Sequence, residues 1–181
     1  MADSERKKQS VIRSFRIPKA LDSRLREIAG ERRTSVNALA EAALQKFADF
    51  DTHTEEFGYG VVKKGFLIKV LDDLTDQQVR DLGDWAGRGL GSETVRFYHP
   101  EVDLEAILST FEDIWSKYSG MYSFRHEVRD NQHILRLNHN MGTKWSLFYE
   151  AQMKALFDKN LGIKLETELS PNFVTARFKI R

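Results

Sequence analysis

Cysteine is absent from the chain. Disulfide frameworks, thiol nucleophiles and Cys-ligated zinc are therefore excluded, and a reducing cytoplasm is the default compartment. No run of about 18 apolar residues exists, which argues against a membrane-spanning helix and a membrane partner. Met1 to Ser10 is polar and charged without an apolar stretch, so no secretory signal is expected. Nothing matches a catalytic triad, a paired-carboxylate site or a dinucleotide loop. The sequence thus assigns no catalytic residue and no cofactor, and the expectation is a protein that is not an enzyme.

What the chain does contain suits one or two small globular domains. It has 181 residues, of which 41% are hydrophobic, 11% aromatic and 30% charged, enough to build a core and to exclude wholesale disorder. The net charge of +1 hides an asymmetry. Residues 1–50 carry 11 Lys/Arg against 7 Asp/Glu, and the remainder carries 17 against 20. A basic front on a mildly acidic body puts polyanion binding at the front.

Residues 11–17, Val-Ile-Arg-Ser-Phe-Arg-Ile, read as a short strand ended by Pro18, which has no N–H to donate. Leu21, Leu25, Ile28 and Ala29 then share a helical face, and Gly30 to Arg33 breaks the helix. Thr34-Ser35 offers an N-cap for a second helix striped by Val36, Leu39, Ala40, Ala43, Leu44 and Phe47. One strand and two short helices bury too little to offset chain entropy. The strand's cheapest partner is a second copy, which predicts an antiparallel two-stranded ribbon across a two-fold axis.

Ser14-Phe15-Arg16-Ile17-Pro18, the Leu21/Leu25/Ile28-Ala29 stripe and Ser35-Val36-Asn37 resemble the ribbon-helix-helix (Arc/MetJ-like) DNA-binding family over residues 9–50. The resemblance implies an obligate homodimer through residues 11–17, with the paired strands in the major groove of double-stranded DNA. Strand alternation then turns Phe15 and Ile17 inward and Ile12, Ser14 and Arg16 outward to the bases. Arg13 departs from the family pattern, which has an apolar residue there, and is assigned to a phosphate. The family anchors phosphate on the amides opening the second helix, here Ser35, Val36 and Asn37. Arg6, Lys7 and Lys8 form a basic arm for the DNA backbone.

Asp51 to Lys64 reads as a linker, leaving three regions: a DNA-binding and dimerisation domain (1–50), the linker (51–64) and a body (65–181). Within the body, the patterns predict a strand at 66–71, a capped helix from Thr75 ended at Gly87–Gly91 and a short strand at 94–98. They continue with a helix from Asp103 to Tyr118, a hairpin turning on Asp130-Asn131, a helix at 143–160 and strands at 163–169 and 173–180. The fold class is α+β: a dimeric β-α-α ribbon-helix-helix followed by an α+β domain with a largely antiparallel sheet.

Three features of the body invite a site. His126 and His133 fall diagonally across the hairpin and form a weak metal candidate without supporting Cys or carboxylates. Asn138 to Ser146 is a polar turn entering a helix, where Lys144 and Ser146 suit an anion, though an ordinary cap serves as well. Trp85, Trp115 and Trp145 lie on apolar stripes, which favours core packing over a ligand pocket. Together these readings describe a transcriptional regulator, a homodimer or tetramer, whose body senses a small ligand or extends oligomerisation. The alternative is an antitoxin that shares the front module and neutralises a partner toxin.

Overall fold

Two apolar patterns with different periods run through residues 49–181, and together they set the architecture. Period-two alternation in 123–138 and 166–179 makes strands, and stripes at helical spacing before and between them make the helices that cover one sheet face. The computed structural model describes residues 11–54 and 56–180. The chain divides into two units, Met1–Ala48 and Asp49–Arg181.

In the first unit, residues 11–18 form neither helix nor strand, and the first element is α1, Lys19–Glu31, followed by α2, Val36–Asp49. The β-α-α order expected from sequence is thus not seen in the single chain. The physical reason is simple: a strand is defined by its ladder, and among the described residues no other segment pairs with this one. Pro18 caps α1, its carbonyl accepting from Leu21 and Asp22 at 3.0 and 3.1 Å. The break between the helices is not made by Gly30, which lies within α1. Arg33 takes the left-handed conformation instead (φ 51°).

The second unit runs α3 (Lys64–Asp72), α4 (Asp76–Ala86), α5 (Ser92–Tyr98), α6 (Leu104–Ser109), α7 (Lys117–Ser119), β1 (Ser123–Arg129), β2 (Gln132–Asn138), α8 (Thr143–Leu161), β3 (Glu166–Ser170) and β4 (Phe173–Lys179). The four strands form one antiparallel sheet in the order β1-β2-β4-β3. The fold is α+β with a four-stranded antiparallel sheet. Asp130 and Asn131 both adopt positive φ, 49° and 63°, which joins β1 to β2 by the two-residue turn whose twist matches a hairpin. Gly162 ends α8 in the left-handed conformation.

The core lies between the sheet and α8. Phe124, Leu135, Leu137, Val174, Ala176 and Phe178 supply the sheet side, and Met153, Leu156 and Phe157 supply α8. Phe111, fully buried, stacks on Phe124 at 5.0 Å and meets Trp115 edge-on. The opposite sheet face is charged, with Glu127 paired to Arg129 and Arg136, and Arg177 to Glu168.

Several local expectations are corrected. Residues 66–71 are helical in α3, so that Leu67 and Leu71 turn inward; a run of consecutive apolar residues does not by itself distinguish a strand from a helix. Residues 94–98 belong to α5, with the Thr94 hydroxyl donating to the Leu90 carbonyl. Gly87–Gly91 does not end α4 but carries it as a π-helical turn into α5. A second π-helical stretch, Thr110–Ser116, joins α6 to α7. Trp85 is exposed, whereas Trp145 is buried and Trp115 partly so.

The segment expected as a linker, 51–64, starts with packed structure. Phe50 contacts Tyr59 and Tyr118 at ring distances of 5.4 and 5.6 Å, and Phe57 meets Phe97 at 4.5 Å. Tyr98 and Tyr118 both donate hydrogen bonds to Asp49.

Candidate nucleic-acid interface

The first unit is built around little buried surface. Among its described residues Ala29 alone is buried. Phe15 (69% exposed), Ile17, Leu21, Leu44 and Phe47 all face solvent, as do Val11 and Ile12. Phe15 and Ile17, expected to point onto the helices, do not do so in the single chain.

Those residues assigned to DNA that the structure describes are solvent-accessible. Ile12, Arg13, Ser14 and Arg16 lie on the exposed segment before α1. Arg6, Lys7 and Lys8 lie outside the described residues. At the start of α2 the Ser35 hydroxyl accepts from the Ala38 amide at 3.0 Å, and the Ser35 carbonyl accepts from Leu39. Ser35 is therefore the N-cap, one helix further along than the Pro18 cap of α1. The Val36 and Asn37 amides that follow it are first-turn donors without an intrahelical acceptor, and the helix dipole there favours an anion.

The other candidate sites resolve into structural contacts. His126 pairs with Leu135 and His133 with Val128 in the ladder, which makes the two histidines diagonal neighbours. Their Nε2 and Nδ1 atoms are 2.9 Å apart, with ring centroids at 5.0 Å and planes within 10°. Two nearly coplanar rings at that separation meet edge to edge, which is the geometry of an N–H···N hydrogen bond. Burial, then the neighbouring His133, lowers the pKa of His126 and favours the neutral ring that such a bond needs. Among the described residues no group of three or more His, Cys, Asp or Glu is placed to hold a metal.

The polar turn before α8 is likewise occupied by its own chain. Lys144 is turned away from the turn, donating to the Leu74 carbonyl and to Asp76. His139 Nδ1 accepts from the Met141 amide at 3.2 Å, so its Nε2 carries the proton toward the Ser146 hydroxyl at 3.0 Å. Ser146 in turn donates to the Ser170 carbonyl at 2.6 Å. A nucleophilic serine requires the reverse polarity, with the histidine accepting. This chain instead ties α8 to the β3–β4 turn. Asn172 adds two more ties, accepting from the Gly142 amide with its side chain and from the His139 amide with its carbonyl.

Burial lowers the His139 pKa to about 4, well below the ordinary 6.5. The unfolded chain therefore binds more protons between those values, and stability falls as pH drops through that window. We predict a denaturation midpoint that is flat with respect to His139 above pH 6.5 and declines toward pH 4. His139→Asn should flatten that decline relative to the unsubstituted chain. Equal slopes in the two proteins would remove His139 as the cause.

Sequence reasoning missed one buried charge. Glu150, on the inner side of α8, accepts from Arg80 and Lys154 at 2.5 and 2.8 Å and from the Thr167 hydroxyl at 2.6 Å. A glutamate flanked by apolar residues on a core helix is the signal that such partners exist. Its three donors make it a satisfied structural ion. In comparisons with known proteins, the chain matches no family model and no curated protein.

Proposed function

We propose that the protein is a sequence-specific DNA-binding regulator of transcription, dimeric through a ribbon formed by residues 11–17 of two copies. In this reading residues 9–50 form a ribbon-helix-helix module, and the α+β body senses a ligand or extends oligomerisation. The observation that carries the proposal is the exposed apolar series Val11, Ile12, Phe15, Ile17, Leu21, Leu44 and Phe47 in a unit with a single buried described residue. Such a unit lacks a core in one chain and gains one by pairing with its copy. The basic balance of the same fifty residues supplies the attraction for DNA.

Within the ribbon, Ile12, Ser14 and Arg16 face the bases, with Arg16 reading a base edge. Arg13, Ser35, Val36, Asn37 and the Arg6-Lys7-Lys8 arm hold phosphates. The antitoxin alternative is less favoured, because proteins that wrap a toxin with a tail order that tail on binding. Here residues 49–181 hold a continuous core of their own.

Selection of bound sequences from random duplex DNA tests the proposal, and a two-fold symmetric motif is expected. Arg16→Ala should cost about 1–3 kcal/mol on the selected site and relax preference at one base pair per half-site. Replacing Arg6, Lys7 and Lys8 together should weaken all duplexes alike and flatten the salt dependence by about one unit of log–log slope per lost phosphate contact. Equal losses on selected and random DNA for Arg16→Ala would contradict base reading.

A further inference from the structure

Helix α3 turns two of its apolar side chains, Phe66 and Val70, to solvent. Phe66 is 63% and Val70 41% exposed, one turn apart on the same side, and Val62, 50% exposed, precedes them by the same interval. Leu67, Ile68 and Leu71 on the other side join the core. The helix therefore already packs on its own chain, and Phe66 and Val70 form an additional face.

The charges at its ends run against the helix dipole. Lys63 and Lys64 stand at the N-terminal end and Asp72 and Asp73 at the C-terminal end, where the dipole favours the opposite signs. Lys69 pairs with Asp73 inside the helix, and among the described residues Lys63 has no ion-pair partner. Gly65 adds a third peculiarity. It lies in the first turn, costs helix propensity, and a Cβ there would meet nothing within 4 Å in its own chain.

We propose that α3 is a second self-association surface, on which two copies of the chain pair their α3 helices antiparallel about a two-fold axis. Setting Phe66 opposite Val70 of the second copy centres the pair on position 68. The same register sets Lys63 opposite Asp73 of the second copy, and symmetry repeats both contacts. Charges that oppose the dipole of their own helix become complementary across the pair, and Gly65 beside Phe66 leaves room for close approach.

Two helices of this length bury far less than the roughly 1,200 Å² of a stable free-standing interface. The contact therefore rests on the proposed ribbon dimer, whose tether raises the effective concentration of one body near the other to about the millimolar range. Its consequence is functional: the α3 pair fixes how far apart the two bodies stand on DNA.

Because the chain has no cysteine, introduced cysteines report alone. In the full chain, Lys63→Cys combined with Asp73→Cys is too widely spaced along one helix to close on itself. Under mild oxidation it is expected to give a disulfide-linked dimer. Adding Phe66→Asp, on an exposed position, should slow that linkage tenfold or more with an unchanged circular dichroism spectrum. Ser14→Cys, at the centre of residues 11–17, reports the ribbon separately.

Ribbon linkage without α3 linkage overturns the α3 pair and leaves the DNA-binding reading standing. An α3 link unaffected by Phe66→Asp overturns the pair as well, since it would mean random collision. An α3 link that is sensitive to Phe66→Asp but lacks ribbon linkage overturns the tethered pair proposed here and sinks the ribbon as well, since α3 would then associate unaided. Absence of both links removes both.

Discussion

Gly87→Val is expected to cost about 3 kcal/mol or more of stability and to lower the urea midpoint of the second unit accordingly. At Gly87 a Cβ would stand 2.3 Å from the Gln152 carbonyl oxygen and 3.0 Å from the Ala155 Cβ. One turn earlier, at Gly83, it would stand 2.4 Å from the Phe148 carbonyl oxygen and 2.9 Å from the Ala151 Cβ. These two glycines let α4 and its π-helical continuation lie directly against the backbone of α8.

Two effects compete at such a position. Removing a helical glycine gains up to about 1 kcal/mol of propensity, whereas overpacking typically costs about 1–3 kcal/mol and sometimes more. The clash prevails because its target is backbone rather than a side chain that can swing aside. Relief requires α4 to move off α8, which loosens contacts around Met153, Leu156 and Phe157. Gly87→Ala should fall between Gly87→Val and the unsubstituted chain. Gly89→Ala serves as the control, since nothing lies within 4 Å of a Cβ there. A midpoint that rises for Gly87→Ala, as the exposed-helix rule alone demands, would show that the helices do not approach this closely.

Phe15→Asp should leave the second unit folded, convert the proposed dimer to monomer and reduce DNA affinity to the level of nonspecific binding. Phe15 is 69% exposed in the single chain, so the substitution disturbs little there. In the proposed ribbon the same position would face the helices, where an unpaired carboxylate is costly. Specific sites bind at least about 10³-fold more tightly than random duplex, and that advantage should disappear. Sedimentation and DNA titration at two salt concentrations check both halves. A Phe15→Asp chain that remains dimeric and retains its sequence preference would contradict the ribbon.

Legibility from sequence varied with how local the determining signal was. The hairpin at Asp130-Asn131 and the cap of the helix from Thr75 follow from side chains acting within a few residues of themselves. The diagonal placement of His126 and His133 was also readable, because register follows from the turn. Their edge-to-edge hydrogen bond was not, since it depends on side-chain angles set by packing, including His133 on Phe178.

Phe66–Leu71 and Thr94–Tyr98 were misread for a shared reason. Segments this short carry too few residues to fix a period, and the neighbouring helices decide what they become. The roles of Gly83 and Gly87 were equally invisible, because a glycine chosen for close approach looks like one that ends a helix. Lys144 and Ser146 suited an anion on paper, but the fold brings Leu74, Asp76 and Ser170 to them first.

By itself the sequence determined the α+β class of residues 49–181, the antiparallel hairpins and the segregation of basic charge to the front, because alternation, turn chemistry and composition act locally or as simple sums. Tertiary structure alone decided which glycines bear helix contacts, which polar side chains are already satisfied and which apolar faces remain uncovered. Those depend on atoms far apart in the chain meeting within a few ångströms.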